Sequence, residues 1–403
     1  MEEKNKKIID KFSLKEVITI IIVTALASLL TGFAITNRVL KDKYDSNETT
    51  RSPQMDTFIR NYNYIISNYY GEVDEEKLLE AALAGVLEAL DDPYTTYIDE
   101  TEANNFNIQL EGSYQGLGVE IYNDDNGALT ILTVFNDSPA AKSGLKPGDI
   151  FLKIDGEDIS KLSSQKFSSK IKNEKKDKFV LTIKRNDEEL EIEVQTSQVT
   201  LTSASSKIIE SDNRKIGYLG ISIFANNTYL QVKKELEYLE SSGIDSLIID
   251  VRSNTGGHLT SVENILGLFL DSSHIIYKTE SNNNIDVVYS EGKTTKQYPI
   301  VIITNEISAS ASEILTATLK EEYGAKSVGK KTYGKGSAQE LKTLPDGTQY
   351  KFTTKKWLTP KGNSIDGVGV DVDMNVDFDS GYYENPIDEN DTQLQAAIKM
   401  IKE

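Results

Sequence analysis

Two short runs constrain this chain more than any other feature: residues 246–251 read SLIIDV and residues 300–304 read IVIIT. Neither alternates apolar with polar side chains, so neither suits a sheet with one wet face; each demands a strand covered on both sides. Amphipathic helical segments surround them, at 228–241, 261–270 and 312–323, and residues 215–224 read as a further strand. Strands alternating with helices predict a layered α/β core with crossover connections. A β-rich stretch at 349–358 and a closing helix at 392–402 follow.

Upstream the pattern differs. Residues 112–194 hold short β-like runs at 117–121, 129–134, 150–154, 179–184 and 190–194, punctuated by the turn pairs Asn126-Gly127 and Asp155-Gly156. Within them, SPAAKSGLKPGDIFLKIDGEDI (138–159) predicts a short helix started by Ser138 and Pro139 and ended by Gly144. Residues 56–90 carry two helical stripes, with Asp74 as an N-cap and Asp91-Asp92-Pro93 as a stop. Their aromatic excess makes them a packing element or a dimer surface.

Residues 17–36 (VITIIIVTALASLLTGFAIT) carry no charge, and as a helix would span about 30 Å, a bilayer's hydrocarbon core. Five lysines precede the run, which favours a cytoplasmic N-terminus and places the remainder on the extracytoplasmic face of the cell membrane. A cleaved signal peptide is the alternative; the run is longer than a signal core, and no A-x-A site follows it. Residues 41–52 are polar and read as a linker.

Composition removes several chemistries. With 63 acidic against 44 basic residues the net charge is −19, which argues against nucleic acid as a partner. No cysteine and two histidines, His258 and His274, leave no thiolate nucleophile and no multi-histidine metal centre, so neither metal nor cofactor is expected. Unusual residues concentrate in DVRSNTGG (250–257), SASASEI (308–314) and GKKTYGKGSAQE (329–340). The last imitates a phosphate-binding loop but puts Gly336 where magnesium needs a hydroxyl. A serine at a helix start behind a buried strand is placed for attack beside N–H groups that can hold an oxyanion. Its base could be His258, or Lys335 in its Gly-Lys-Gly turn if burial strips the amine of its proton. The flat alternatives are a helix cap for the serines and a solvated turn for the lysine.

The QGLGVEI run (115–121) with the 138–159 segment resembles a PDZ domain. By that resemblance Gly116, Leu117, Gly118 and Val119 offer backbone N–H groups to a peptide's terminal carboxylate, and converging amides of this kind do bind anions. DVRSNTGG, SASASEI and TYGKGSAQ, in that order behind such a module, are similar to the C-terminal processing peptidases, or tail-specific proteases, peptidase family S41, of the membrane-anchored Gram-positive type. DDPYTTYI and WLTPKGNSIDGVGV extend the likeness from about Met55 to Lys402, although GVGVDVD lacks the proline common there. The resemblance implies a layered βαβ, crotonase-like serine-protease core with an inserted PDZ domain and an N-terminal helical arm. It implies Ser310 as nucleophile, Lys335 as general base, Gln339 as the residue orienting that lysine, and Gly256 and Ala311 as oxyanion donors. A neutral Lys335 would be walled off by Tyr333 or other core residues.

The expected organisation is a cytoplasmic N-terminus (1–16), an anchor (17–36), a linker (37–52), a helical, dimerising region (53–110), a PDZ domain (111–196), a catalytic core (197–380) and a C-terminal helical region (381–403). The expected activity is endopeptidase cleavage of proteins at tails with free C-termini, by a homodimer held to the membrane by one helix. The alternative is a catalytically silent PDZ scaffold.

Overall fold

The computed structural model describes residues 52–98, 100–124, 126–281, 284–343 and 349–403. The anchor expected at 17–36 lies outside them; among the described residues no helix is long and apolar enough to cross a membrane. The chain divides into one unit ending at Ala82 and another running from Leu83 to Glu403.

Helix α1 (Pro53–Asn68) starts with Pro53 at its first position behind Ser52, whose Oγ accepts the Met55 N–H at 3.2 Å. It buries no residue: Phe58 and Ile65 are both about half exposed. Helix α2 (Glu75–Glu88) begins where Asp74 Oδ1 accepts the Lys77 N–H at 3.1 Å, the cap read from the sequence.

The larger unit opens with β1 (Thr96–Ile98), α3 (Glu100–Glu111) and β2 (Ser113–Gly116). Next come β3 (Val119–Asn123), β4 (Leu129–Val134), α4 (Pro139–Ser143), β5 (Ile150–Ile154), β6 (Glu157–Asp158), α5 (Ser164–Glu174), β7 (Lys178–Arg185) and β8 (Glu188–Gln195). They form a sheet of order β3-β4-β5-β7-β8, with β6 beside β5, around a core of Phe151, Phe167, Phe179 and Leu181. Helix α4 is capped as its residues predict: Ser138 Oγ accepts the Ala141 N–H, and Gly144 closes it at φ 83°. The first strand differs from its reading: it starts at Val119, not 117, because Gly118 takes φ +82° and breaks the extended run. Helix α5 went unread; its polar composition hides an apolar stripe of only Phe167 and Ile171.

Strand β9 (Ser197–Thr200) pairs with β2 and leads to β10 (Ala204–Ser211), β11 (Arg214–Ile221), α6 (Thr228–Ser241), β12 (Ser246–Asp250) and α7 (Leu259–Leu266). Then follow β13 (Ile275–Ser281), β14 (Asn284–Tyr289), β15 (Ile300–Thr304), α8 (Ala311–Thr318), a π-turn at Leu319–Tyr323 and β16 (Lys326–Gly329). Strands β17 (Ser337–Thr343), β18 (Gln349–Leu358) and β19 (Met374–Asn375) precede α9 (Thr392–Lys402). The central sheet has the order β10-β11-β12-β15-β16-β19, parallel except for β10 against β11.

The two apolar runs behave as their composition requires, with every residue of β12 and β15 buried. Leu247 and Ile249 pack with Val232 of α6, Val262 of α7 and Ile314 of α8 on one face, while Ile248 and Ile303 meet Leu394 and Ile398 of α9 on the other. Covering both faces leaves the carboxyl ends of these strands as the place where chemistry can be exposed. A second sheet, β1-β18-β13-β14 with β17 on β18, brings the 91–98 turn to the core. Sequence had grouped that turn with the helical region.

Candidate active site

The loop after β12 is fixed by its own charged residues. Arg252 donates to Asp250 (2.6 Å) and to Asp391 at the start of α9 (2.7 Å), and Tyr218 donates to Asp250 (2.7 Å). Burial works against the guanidinium's charge, and its two carboxylates prevail, holding it above the usual arginine range. The first residues of DVRSNTGG therefore act as a buried brace.

The brace carries residues 254–257 against the serine run, which the structure separates by role. Ser308 Oγ donates to the Val251 carbonyl (2.7 Å) and Ser312 Oγ to the Asn254 carbonyl (2.8 Å), both fully buried. Ser310, between them, is half-buried and stands at the cap of α8. Its backbone sits at φ 55°, ψ −114°, a strained setting for a residue with a Cβ, held by the loops on either side. Two serines tie the turn down and the third is presented.

Gly256 fits against that turn: a Cβ there would lie 2.8 Å from Ser310 Cβ and 3.1 Å from Ala311 N. In this arrangement its N–H is donated to Asn254 Oδ1 (2.9 Å). The Ala311 N–H, at the first position of α8, has no backbone acceptor among the described bonds. Of the two oxyanion residues taken from the resemblance, Ala311 thus has its donor available and Gly256 has its donor occupied.

Glu313 joins the serine and lysine loops, and the sequence reading gave it no role. Its carboxylate is fully buried and accepts from the Ser310 N–H (2.8 Å), Thr332 Oγ1 (2.6 Å), the Gly334 N–H (2.7 Å) and the Lys335 N–H (2.8 Å). The Ser310 and Lys335 amides share one oxygen, Oε2, so the two backbones lie within two hydrogen-bond lengths of each other. Burial pushes the Glu313 carboxyl above its usual range; the four donors oppose that and match an ionised acceptor. Its place three residues after a helix-capping serine was the one available sequence signal.

Lys335 is held further by its carbonyl, which accepts Trp357 Nε1–H at 2.9 Å. Its ammonium nitrogen lies 4.8 Å from the ring centroid of Tyr94. Tyr94 of the DDPYTTYI turn thus covers the amine on one side, while Tyr333, named together with other core residues for that task, is 57 % exposed. Burial lowers the lysine pKa most and Lys351 adds to it, whereas Asp92 and Glu313 pull the other way; the net direction is down, toward the neutral amine. Tyr94 is itself pushed up to about 12 by burial and by its hydrogen bond with Tyr333. Gln339 Nε2 donates to Ser337 Oγ (2.9 Å) and Thr353 Oγ1 (3.2 Å), and Thr353 Oγ1 donates to Asp92 Oδ2 (2.6 Å). Gln339 thus belongs to the lysine's surroundings through Thr353 and Asp92, and among the described hydrogen bonds none joins its amide, or Ser310 Oγ, to Lys335 Nζ. His258 starts α7 with Nε2 buried and unpartnered, and His274 faces Glu322 at 3.2 Å; neither meets Ser310.

Gly116, Leu117, Gly118 and Val119 border a cavity of about 660 Å³ between β3 and α5, with Ile121, Phe167 and Ile171 among its apolar walls. Gly118 is irreplaceable there on two counts: its φ is positive, and a Cβ would fall 2.3 Å from Ser138 Cβ. Among the described residues strand β3 pairs only with β4, so its outer edge is open to an added strand. Helix α3 closes the cavity with Asn107, Ile108 and Glu111.

Residues 215–376 match Peptidase family S41, 115–196 a PDZ domain, and 25–102 the N-terminal domain of the activating protease CtpB. The carboxy-terminal processing protease CtpB of Bacillus subtilis (strain 168) is 36 % identical over 327 residues, covering 80 % of this chain and 68 % of that protein. The chain belongs to peptidase family S41. Within S41 it falls among the C-terminal processing serine peptidases, hydrolases of peptide bonds. A CtpA-like serine protease of Staphylococcus aureus (strain COL) is 30 % identical over 319 residues, or 78 % of this chain and 63 % of the relative's length. A solved chain from Bacteroides fragilis NCTC 9343, described as a candidate S41 protease, shares the fold at a TM-score of 0.50 and 16 % identity, covering 83 % of this chain and 91 % of its own.

Proposed function

We propose that this S41 peptidase is an endopeptidase working through a Ser310–Lys335 dyad on protein tails that its PDZ groove takes by the C-terminus. The observation that carries the reading is the Glu313 carboxylate, one oxygen of which receives the N–H of both residues and so keeps a presented serine and a half-buried lysine together. In the reaction, neutral Lys335 takes the Ser310 hydroxyl proton as Oγ attacks the scissile carbonyl carbon. The Ala311 N–H faces the oxyanion, and the lysine then gives its proton to the leaving amine. Water hydrolyses the ester, with Lys335 accepting its proton and returning it to Ser310 Oγ. The open edge of β3 and the Gly116–Val119 amides suit a peptide that adds a strand and ends in a carboxylate.

The full chain incubated with an unstructured substrate should cleave it faster when its C-terminus is free than when amidated. Equal rates would remove the carboxylate from recognition, and tail binding without turnover would favour the silent scaffold instead. The same reading divides the chain as the sequence does, with a catalytic core at 197–380 behind a PDZ domain at 111–196. It holds the enzyme to the extracytoplasmic face by residues 17–36 and pairs it through the arm, where Phe58 and Ile65 stand exposed. Sedimentation with membranes that persists after deletion of residues 1–50, or a monomer mass by light scattering, would refute those two parts.

A further inference from the structure

Lys351 takes no step in the reaction above, yet the fold brings its charge toward Lys335. It lies on β18 two residues before Thr353, and strand alternation sets both side chains on one face. That face meets the lysine's surroundings: Thr353 Oγ1 touches Asp92 and Gln339, and the Lys351 backbone pairs with Thr96 of the turn that carries Asp92 and Tyr94. Among the described residues Lys351 makes no ion pair, in a chain of net charge −19. Its ammonium instead rests 5.6 Å from the ring centroid of Phe106. Phe106 is on α3, whose next residues, Asn107 and Ile108, line the peptide cavity. Among the described residues it is thus a cation without an ionic partner, seated on an aromatic ring and on the strand face that meets the surroundings of the half-buried Lys335, an arrangement that disfavours two charges at once.

We propose that Lys351 is a positioning residue for peptide hydrolysis, its fixed positive charge keeping the neighbouring Lys335 amine neutral and ready to accept the Ser310 proton. The proposal rests on the Ser310–Lys335 reading. The groups facing Lys335 are Asp92 from the 91–98 turn and Glu313 from α8, which favour its protonation, Lys351 from β18, which opposes it, and the phenol of Tyr94, itself hydrogen-bonded with Tyr333. Asp366, near Tyr94, is paired with Lys356 at 3.1 Å. Removing the charge at 351 leaves the two carboxylates unopposed except by burial, so Lys335 stays protonated to higher pH.

The test is the rate at which a serine-directed fluorophosphonate phosphonylates Ser310 Oγ, with loss of fluoride, in the full chain, followed from neutral to alkaline pH. Lys351→Met should move the rising limb of the profile to higher pH and slow labelling about three- to tenfold at neutral pH, with the alkaline plateau kept. Lys351→Arg should retain the parent profile. An unmoved limb in Lys351→Met, an equal loss at every pH, or an Arg variant that behaves like Met would overturn the proposal. If Lys351→Met fails to fold, Phe106→Leu, which removes the seat and keeps the charge, should show a smaller displacement in the same direction; its absence counts against the proposal equally. Labelling that survives in Ser310→Ala would instead overturn the dyad, and so separates the two failures.

Discussion

Lys335→Ala and Ser310→Ala should each lower kcat on an unstructured protein substrate by about ten-thousandfold, with the double variant no slower than either single one. In the proposed dyad nucleophile and base act as a unit: without an acceptor for its proton the Ser310 hydroxyl does not attack, and without the hydroxyl a neutral amine has nothing to activate. Lys335→Arg should fail as fully, because a guanidinium does not give up its proton at any pH the protein survives. Activity of the wild type should rise with pH as the remaining protonated Lys335 loses its proton, since the neutral form is the base and burial has already moved its pKa downward. Steady-state kinetics across pH read all of this. A Lys335→Ala variant within tenfold of wild type would leave the proposed chemistry without its base.

Glu313→Gln should bring the second-largest loss, about a hundredfold or more in kcat together with about 2–4 kcal/mol of stability. The carboxylate receives four donors from both loops and donates nothing. A carboxamide of the same size presents an NH₂ to at least one of those N–H groups, so two donors face each other in a site closed to water. The loops then separate, and the Ser310 N–H loses the acceptor that holds its strained backbone. Glu313→Asp keeps the charge and shortens the reach by one methylene, so it should retain more stability than Gln while losing alignment. Denaturant unfolding paired with single-turnover kinetics distinguishes the two effects. A Glu313→Gln enzyme of normal rate would mean that the shared oxygen does not organise the site.

Much of this architecture was legible because it is local. The runs 246–251 and 300–304 announce doubly covered strands by composition, and the structure buries all ten residues of β12 and β15. Ser138, Pro139 and Gly144 bound α4 through cap chemistry confined to a few neighbouring residues. Strands β13, β14, β16 and β17 were missed because their side chains alternate weakly and owe their pairing to partners far along the chain. Strand β3 was read two residues early because φ at Gly118 follows from its approach to Ser138, and residue type alone does not announce that.

At the site, residue types narrowed the choice to the serine run with His258 or Lys335 as its base, and the family resemblance, not composition, singled out Ser310 and Lys335. Which serine is free, what walls the lysine and what joins the two loops came only from packing. Ser308 and Ser312 lose their hydroxyls to the carbonyls of Val251 and Asn254, across nearly sixty residues of sequence. Tyr94 and Asp92 arrive beside Lys335 from about 240 positions upstream because β1 pairs with β18. Periodicity, caps and turn residues are carried by neighbours in the chain and can be read there. Desolvation of one amine and the sharing of one carboxylate oxygen depend on groups that only the folded chain brings within hydrogen-bond reach, and those are what decide whether the lysine can act as a base.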